Sequence, residues 1–161
     1  MTADAAASFR AAALALYEQP AVREACLRLQ DRDGFDVVVL LYCLWAAGSG
    51  RAPLDGGRLQ AIEATLQPWR ETAILPLRAV RRRLKGDERD PGEAVRRHVA
   101  QAEIAAELAA MDLIVAADAQ APHRPGAAPR AMALVSLHAY AAFRGVAVSA
   151  ADDVRLLAAA L

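Results

Sequence analysis

The stretch from Val37 to Ala47, VVVLLYCLWAA, contains no charged residue and decides the fold. A short apolar run fits either a buried strand or a buried helix, and its three valines favour a strand locally. Its second half favours a helix, and the chain offers no second strand candidate with which it could pair. A helix that is apolar all round must be buried. We therefore predict a central helix at Val37–Ala47, with Asp36 as its N-cap and Gly48-Ser49-Gly50 at its end.

The overall composition also indicates helices. Alanine accounts for 41 of the 161 residues, and it is the strongest helix former and a poor strand former. Apolar residues make up 56% of the chain, which excludes an intrinsically disordered protein. The 19 basic and 19 acidic residues cancel to a net charge of zero, which disfavours nucleic-acid binding by charge alone. The prediction is an all-α fold, a compact bundle of about six or seven helices around residues 37–47.

Caps, glycines and prolines divide the rest of the chain into further helices. The predicted helices cover residues 3–17, 20–32, 55–67, 69–85, 90–119 and 132–144, and a last one begins after a Ser149 cap. Gly34, Gly86 and Gly145 are expected to end helices, and Asp90 with Pro91 to begin one. Pro68 should interrupt the helical pattern, and Pro76 should kink or divide the helix in which it lies. The contact face predicted for 90–119 is Val95, Val99, Ala102, Ala106, Ala109, Leu113 and Ala116.

The proline-rich segment 120–129 marks a linker near the end of the chain. We predict a single helical domain over 1–161, in which 1–119 form the core and 130–161 a docked pair of helices. That pair is too small to fold alone. No apolar run reaches the ~20 residues of a membrane span, and the N-terminus lacks a signal-peptide pattern. With Cys26 and Cys43 expected to be reduced and buried, we expect a cytoplasmic protein.

No catalytic or metal-binding motif is visible. His98, His123 and His138 occur without HExxH or ExxH spacing, and no CxxC is present. His138 lies on an apolar stripe and is expected at the core or its boundary. Glu103 and Glu107 share a helix face, but matching ligands on other helices are missing, so we interpret them as a solvated face. The sequence therefore predicts no metal site, no cofactor and no catalytic residue.

One cluster of cations stands out between residues 78 and 85. It consists of Arg78, Arg81, Arg82, Arg83 and Lys85, and the buried side of the same helix is expected to be Leu77, Val80 and Leu84. Cations in a last helical turn are favoured by the helix dipole, so a solvated helix end explains the cluster. Alternatively, Arg78, Arg82 and Lys85 lie on one face and clamp a phosphate or carboxylate.

Three short blocks carry a resemblance. They are Cys26-Leu27-Arg28-Leu29-Gln30-Asp31, Leu40-Leu41-Tyr42-Cys43-Leu44-Trp45, and Pro76-Leu77-Arg78-Ala79-Val80-Arg81-Arg82, with Trp69 before the last. In this order they resemble a family of uncharacterised, conserved hypothetical proteobacterial proteins that carry a domain of unknown function. The resemblance spans roughly residues 9–115 and departs from the family pattern at Val38, where a polar Asn is common. It implies a small helical bacterial protein and no particular activity.

Physically, the leucines of these blocks and Trp45 are expected in the core. Arg78 paired with Asp31 would explain two polar residues beside that core without any ligand.

Two classes of function follow, and a third is weaker. The first is a non-enzymatic interaction or regulatory protein that binds an acidic protein partner through Arg78, Arg81, Arg82, Lys85 and Trp69; a homodimer is also open. The second is an enzyme or carrier that holds a small anionic or apolar ligand between helices. In that case Arg78 binds the head group and Trp69, Tyr42 and Trp45 line the wall. The third is nucleic-acid binding, which zero net charge disfavours.

Overall fold

A computed structural model describes residues 2–85, 90–124, 126–146 and 151–161, and the side chains of Thr2, Asp90, Pro91 and Ala151 are not described. In these ranges the chain is helical and contains no strand. The helices are α1 (Thr2–Glu18), α2 (Pro20–Asp33), α3 (Val37–Gly48), α4 (Gly56–Trp69), a π-helical turn (Arg70–Ile74), α5 (Leu75–Arg83), α6 (Asp90–Ala117), α7 (Pro129–Phe143) and α8 (Ala151–Ala159). Since α4, the π turn and α5 are continuous, the described chain forms seven helical rods, which confirms the all-α prediction.

The central helix α3 lies where the apolar run predicted it. Its residues from Val38 to Ala47 are all buried, so no side of this part of the helix faces water. The Asp36 side chain accepts a hydrogen bond from the Val38 N–H at 2.8 Å, which satisfies one of the free donors of the first turn. Gly34 just before it has a φ of 70°, a left-handed conformation that glycine adopts without strain, and it ends α2 as predicted.

Helix α2 presents one apolar face to the core, and this explains a wrong expectation. Val22, Ala25, Cys26 and Leu29 are buried at helical spacing. Leu27 was expected in the core but is 39% exposed. One residue of helix turns the chain by about 100°, so Leu27 points away from the face on which Cys26 lies.

The two prolines of the long α4–α5 rod behave differently. Pro68 remains inside α4 and does not interrupt the helix. Before Pro76 the backbone widens into the π turn, where the Leu75 N–H donates to the Arg70 carbonyl five residues back. A proline ring crowds the carbonyl four residues before it, and a widened turn relieves that crowding. The predicted division of this helix at Pro76 therefore takes the form of a π turn.

Helix α6 is 28 residues long, and its buried face differs from the predicted stripe. The buried residues are Glu103, Ala106, Ala110, Ile114 and Val115. Val95 is 50% exposed, and Ala102 and Ala116 are exposed as well. Ala106 belongs to both the predicted stripe and the buried face, and around it the true contact face is rotated toward Glu103, Ala110 and Ile114. The predicted Asp90–Pro91 cap and the Gly86 stop lie outside the described residues or side chains.

The C-terminal helices complete the same hydrophobic core. Helix α7 packs on α3, and α8 packs on α2 and α7. Leu137 and Tyr140 of α7 and Leu157 of α8 are buried in one cluster with the residues of α3. His138, expected at the core or its boundary, is exposed on the outer side of α7. The predicted Ser149 cap lies outside the described residues.

Within the described ranges, no helix combines the length and the apolar character needed to cross a membrane.

Candidate functional site

An interior polar cluster joins three distant parts of the chain. The Tyr42 hydroxyl donates to Asp118 Oδ2 at 2.6 Å, and Arg58 Nε donates to Asp118 Oδ1 at 2.7 Å. Arg51 donates from Nη1 to the Asp118 carbonyl at 3.1 Å. Burial, followed by the contact with Asp118, raises the pKa of Tyr42 above its ordinary value. Tyr42 was a candidate for a ligand-binding wall, but it is fully enclosed and its hydroxyl is committed to Asp118.

Sequence reasoning missed this cluster. A tyrosine in an all-apolar helix signals that its hydroxyl needs a hydrogen-bond partner, but nothing in the sequence identifies Asp118. Among the described residues, no buried side-chain nitrogen or oxygen atom lacks a hydrogen-bond partner. The cluster therefore closes the interior and offers no free group to a ligand.

The predicted cationic cluster is divided into paired and unpaired residues. Arg78 donates from Nε to Glu103 Oε1 and from Nη2 to Glu107 Oε1, each at 3.0 Å. Arg81 is also ion-paired with Glu103. Two earlier expectations are therefore wrong: Arg78 is not paired with Asp31, which is exposed, and Glu103 is not solvated.

The two glutamates respond in opposite ways to this environment. Burial raises the pKa of Glu103, but hydrogen bonds from Arg81 and Arg78 outweigh it and hold the pKa below its ordinary value. For Glu107 burial is again the largest influence, and Arg78 only partly offsets it, so the pKa is raised. The ion pairs of Glu103 with Arg78 and Arg81 thus join α5 to α6.

Trp69 contributes to the same attachment. It is half-buried, and its indole N–H donates to the Ala106 carbonyl of α6 at 2.9 Å. The side chain packs against the hydrophobic core. Trp69 therefore joins the α4 end of the rod to α6, and its one donor is already used.

Beyond these contacts, α5 and the first part of α6 extend away from the core. We call residues 78–85 and 92–102 the α5–α6 arm. None of its described side chains is buried. Val80 was expected on a buried side of α5, yet it is 43% exposed, and no residue of α5 is buried. The arm is a two-helix extension whose apolar side chains remain partly in water.

The arm also carries four cations that form no salt bridge with a described residue. Arg82, Arg83, Lys85 and Arg97 are exposed, and none of them forms a salt bridge with any described residue. Arg96, in contrast, is paired with Glu93 at 2.7 Å. Arg82 and Lys85 of the predicted cluster are thus exposed and carry no salt bridge to a described residue, and the same is true of Arg97 on α6. Arg78 and Arg81 belong to the base of the arm.

In the described part of the chain, no three His, Cys, Asp or Glu side chains gather as a metal site would require. Cys26 and Cys43 are both buried and free, as predicted. Burial raises the pKa of each thiol to about 12, so both are protonated at neutral pH.

Comparison with known proteins agrees with the resemblance at the level of the family. No curated protein and no solved structure matches the chain. A family model described as "Protein of unknown function (DUF2390)" matches residues 9–114. The matched range includes the arm, Glu103 and Glu107, whereas α7 and α8 lie beyond it. Since this range is well over half of the 161 residues, the chain belongs to the DUF2390 family.

Proposed function

We propose that this protein is a non-enzymatic interaction protein whose α5–α6 arm binds an acidic region of a partner protein. One observation carries the proposal: four exposed cations of the arm form no salt bridge with any described residue, and no described side chain of the arm is buried. Cations that already have a carboxylate partner gain little from a second one. Cations without a partner gain charge-assisted hydrogen bonds when a carboxylate arrives.

The ion pairs at the base of the arm support this assignment by giving the cations a fixed position. Glu103 is paired with both Arg78 and Arg81, and Arg78 also donates a hydrogen bond to Glu107, one turn further along α6. These two arginines therefore position the arm. Arg82, Arg83, Lys85 and Arg97 remain to contact the partner.

The other two functional classes have less support. The small-ligand alternative needs Arg78 to bind an anionic head group, but its Nε and Nη2 donors already contact glutamates. Nucleic-acid binding is disfavoured by the net charge of zero and by Asp87 and Glu88, which follow the cations in the sequence. An acidic protein segment needs only a small cationic surface, which the arm provides.

The setting that we propose is the bacterial cytoplasm, within the proteobacteria. Cys26 and Cys43 are free thiols, as is usual for proteins of reducing compartments. We also propose that residues 1–161 fold as a single domain. The shared core of α3, α7 and α8 supports this organisation.

The experiment compares a charge-reversed arm with an equally charge-reversed control. Wild-type protein is cross-linked in its host, the captured partner is identified, and the complex is rebuilt from purified proteins. We expect Arg82→Glu/Arg83→Glu to raise the dissociation constant at least tenfold. The control, Arg124→Glu/Arg130→Glu, changes the net charge equally at exposed positions outside the arm and should leave binding within about twofold of wild type.

Circular dichroism confirms that both double variants remain folded before binding is compared. Affinity of the wild type should also fall with salt, because exposed charges are screened. If the arm variant and the control bind equally, the arm is not the binding site and the proposal is wrong.

A further inference from the structure

One side of α6 is exposed along three helical turns. Arg97, Gln101, Ile104 and Leu108 follow one another at four- and three-residue steps, the spacing of a single helix face. All four are exposed, and Ile104 and Leu108 are 57% and 41% exposed. We call these four residues the α6 stripe. The buried residues Glu103, Ala106 and Ala110 lie on the other side of the helix.

We infer that the α6 stripe receives an amphipathic acidic helix of the partner protein. The inference rests on the proposed function and specifies the partner's shape. The partner's apolar side chains would cover Ile104 and Leu108, and its carboxylates would lie over Arg97. About three helical turns, or ~16 Å at 1.5 Å per residue, would span the stripe.

A helix is the partner element that fits this surface. Apolar side chains one turn apart form a ridge that packs into the groove of another helix. Binding of an extended strand requires a free sheet edge, and the described chain contains no strand. The stripe therefore favours helix-on-helix docking, which would extend the α5–α6 pair to three helices.

The charge of the stripe favours an acidic helix over a second copy of this chain. A second copy would bring the same stripe, which contains no carboxylate, so Arg97 would gain no ion pair. The two carboxylates that lie in line with the stripe on α6 are already paired, Asp112 with Arg10 of α1 and Glu93, one turn before Arg97, with Arg96. An acidic helix provides a carboxylate for Arg97 while its apolar face covers Ile104 and Leu108.

The test uses two synthetic peptides of identical composition, made of leucine and glutamate. In the first, the leucines recur at helical spacing and form one face. In the second, the same residues are permuted so that the leucines surround the helix. Binding of each fluorescently labelled peptide to the full-length protein is measured by anisotropy at low salt. We expect the amphipathic peptide to bind at least tenfold more tightly than the permuted one.

Variants of the full-length protein then locate the site. Ile104→Gln/Leu108→Gln should weaken the amphipathic peptide at least tenfold without changing charge. Val135→Gln is the matched control, because Val135 is an apolar residue with 54% exposure on α7. It should change binding by less than twofold. Arg97→Gln should weaken the amphipathic peptide severalfold by removing one ion pair.

Each other outcome decides against the inference in a distinguishable way. If both peptides bind equally and Arg82→Glu/Arg83→Glu removes both, the helical partner is wrong but the acid-binding function stands. The proposed function is also contradicted if neither peptide binds. The same holds if Arg82→Glu/Arg83→Glu leaves the affinity for the peptides unchanged. If sedimentation detects self-association that Ile104→Gln/Leu108→Gln abolishes, a second copy covers the stripe and the inference is overturned.

Discussion

The arginine–carboxylate pairs of the interior and those at the base of the arm stabilise different parts of this molecule. In the interior, the Asp118 side chain is 4% exposed and its partner Arg58 is 15% exposed. At the base of the arm, Glu103 is also enclosed at 7%, but Arg78 and Arg81 are 24% and 33% exposed. The interior pair is shielded from water on both sides and belongs to the core. The arm pair is half-solvated and attaches a surface element to that core.

The same kind of ion pair therefore stabilises the core in one region and attaches a solvent-exposed element in the other. Breaking a shielded pair leaves a buried charge without a partner, which is expensive. Breaking a half-solvated pair lets water replace the lost partner, so the cost is smaller. We therefore expect the arm to open locally at a lower free energy than the core unfolds.

The largest effect should follow removal of the C-terminal helices. A chain ending at residue 129 loses Leu137 and Tyr140, which are buried, and the Tyr140 hydroxyl that accepts from the Asp36 N–H at 3.1 Å. The apolar side chains of α3 that α7 covers would then face water. We expect loss of cooperative thermal unfolding and of near-ultraviolet circular dichroism. A truncated chain that still melts cooperatively would show that α7 and α8 are accessory, contrary to the single-domain proposal.

Next in size is Asp118→Ala. This change leaves the Tyr42 hydroxyl and two Arg58 nitrogens without their acceptor in a water-poor site. We expect a loss of about 3–5 kcal/mol in the free energy of unfolding. Urea denaturation monitored by circular dichroism measures it. Glu71→Ala, at an exposed carboxylate of the π turn, is the control and should cost no more than about 0.5 kcal/mol.

Glu103→Gln should have an intermediate effect at neutral pH. The uncharged amide loses the charge-assisted bonds from Arg78 and Arg81, at a cost of about 1–2 kcal/mol. Because the folded-state pKa of Glu103 lies below its ordinary value of 4.5, its stabilisation is present above that pH and disappears as pH falls through the folded pKa. The difference between wild type and variant should therefore shrink in acid. A difference independent of pH would contradict the ion-pair assignment.

Glu107→Gln should show the opposite sign. Burial raises the pKa of Glu107 in the folded protein, so its protonated form is favoured by folding below pH 4.5, and that advantage is lost as pH rises through the folded pKa. Replacing it with an uncharged amide should therefore leave stability at pH 7 unchanged or slightly higher. Parallel urea titrations of both glutamine variants at several pH values make the comparison. A large loss at pH 7 would show that Glu107 also anchors the arm.

The smallest effect on stability should come from Arg82→Glu/Arg83→Glu. Both side chains are exposed and neither forms a salt bridge with a described residue, so the free energy of unfolding should change by about 0.5 kcal/mol or less. This contrasts with the loss of partner binding expected from the same variant. A loss of stability as large as that of Glu103→Gln would show that these cations hold the arm in place.

The predictable parts of the structure were those that neighbouring residues decide. Asp36 and Asp55 accept hydrogen bonds from backbone N–H groups two and three residues later, so their capping role is local. Gly34 ends α2 for the same kind of reason. Most of the α6 contact face was mispredicted. Small residues show where a neighbouring helix could approach closely, but they do not show on which side of α6 that neighbour lies. Which cations of the arm are ion-paired could not be predicted, because the answer depends on Glu103 lying beside Arg78 and Arg81 in the folded protein.

Local patterns were enough to predict the all-α fold, the burial of α3 and several helix ends, because alanine content, apolar runs and caps act over a few residues. The pairing of the arginines, in contrast, follows from how the helices pack. Arg78 and Glu103 are 25 positions apart in the chain, and Arg58 and Asp118 are 60 apart. Contacts over such separations depend on how whole helices pack. The sequence alone therefore does not distinguish an ion-paired arginine from an unpaired one. The difference lies in which residues the fold brings next to each side chain.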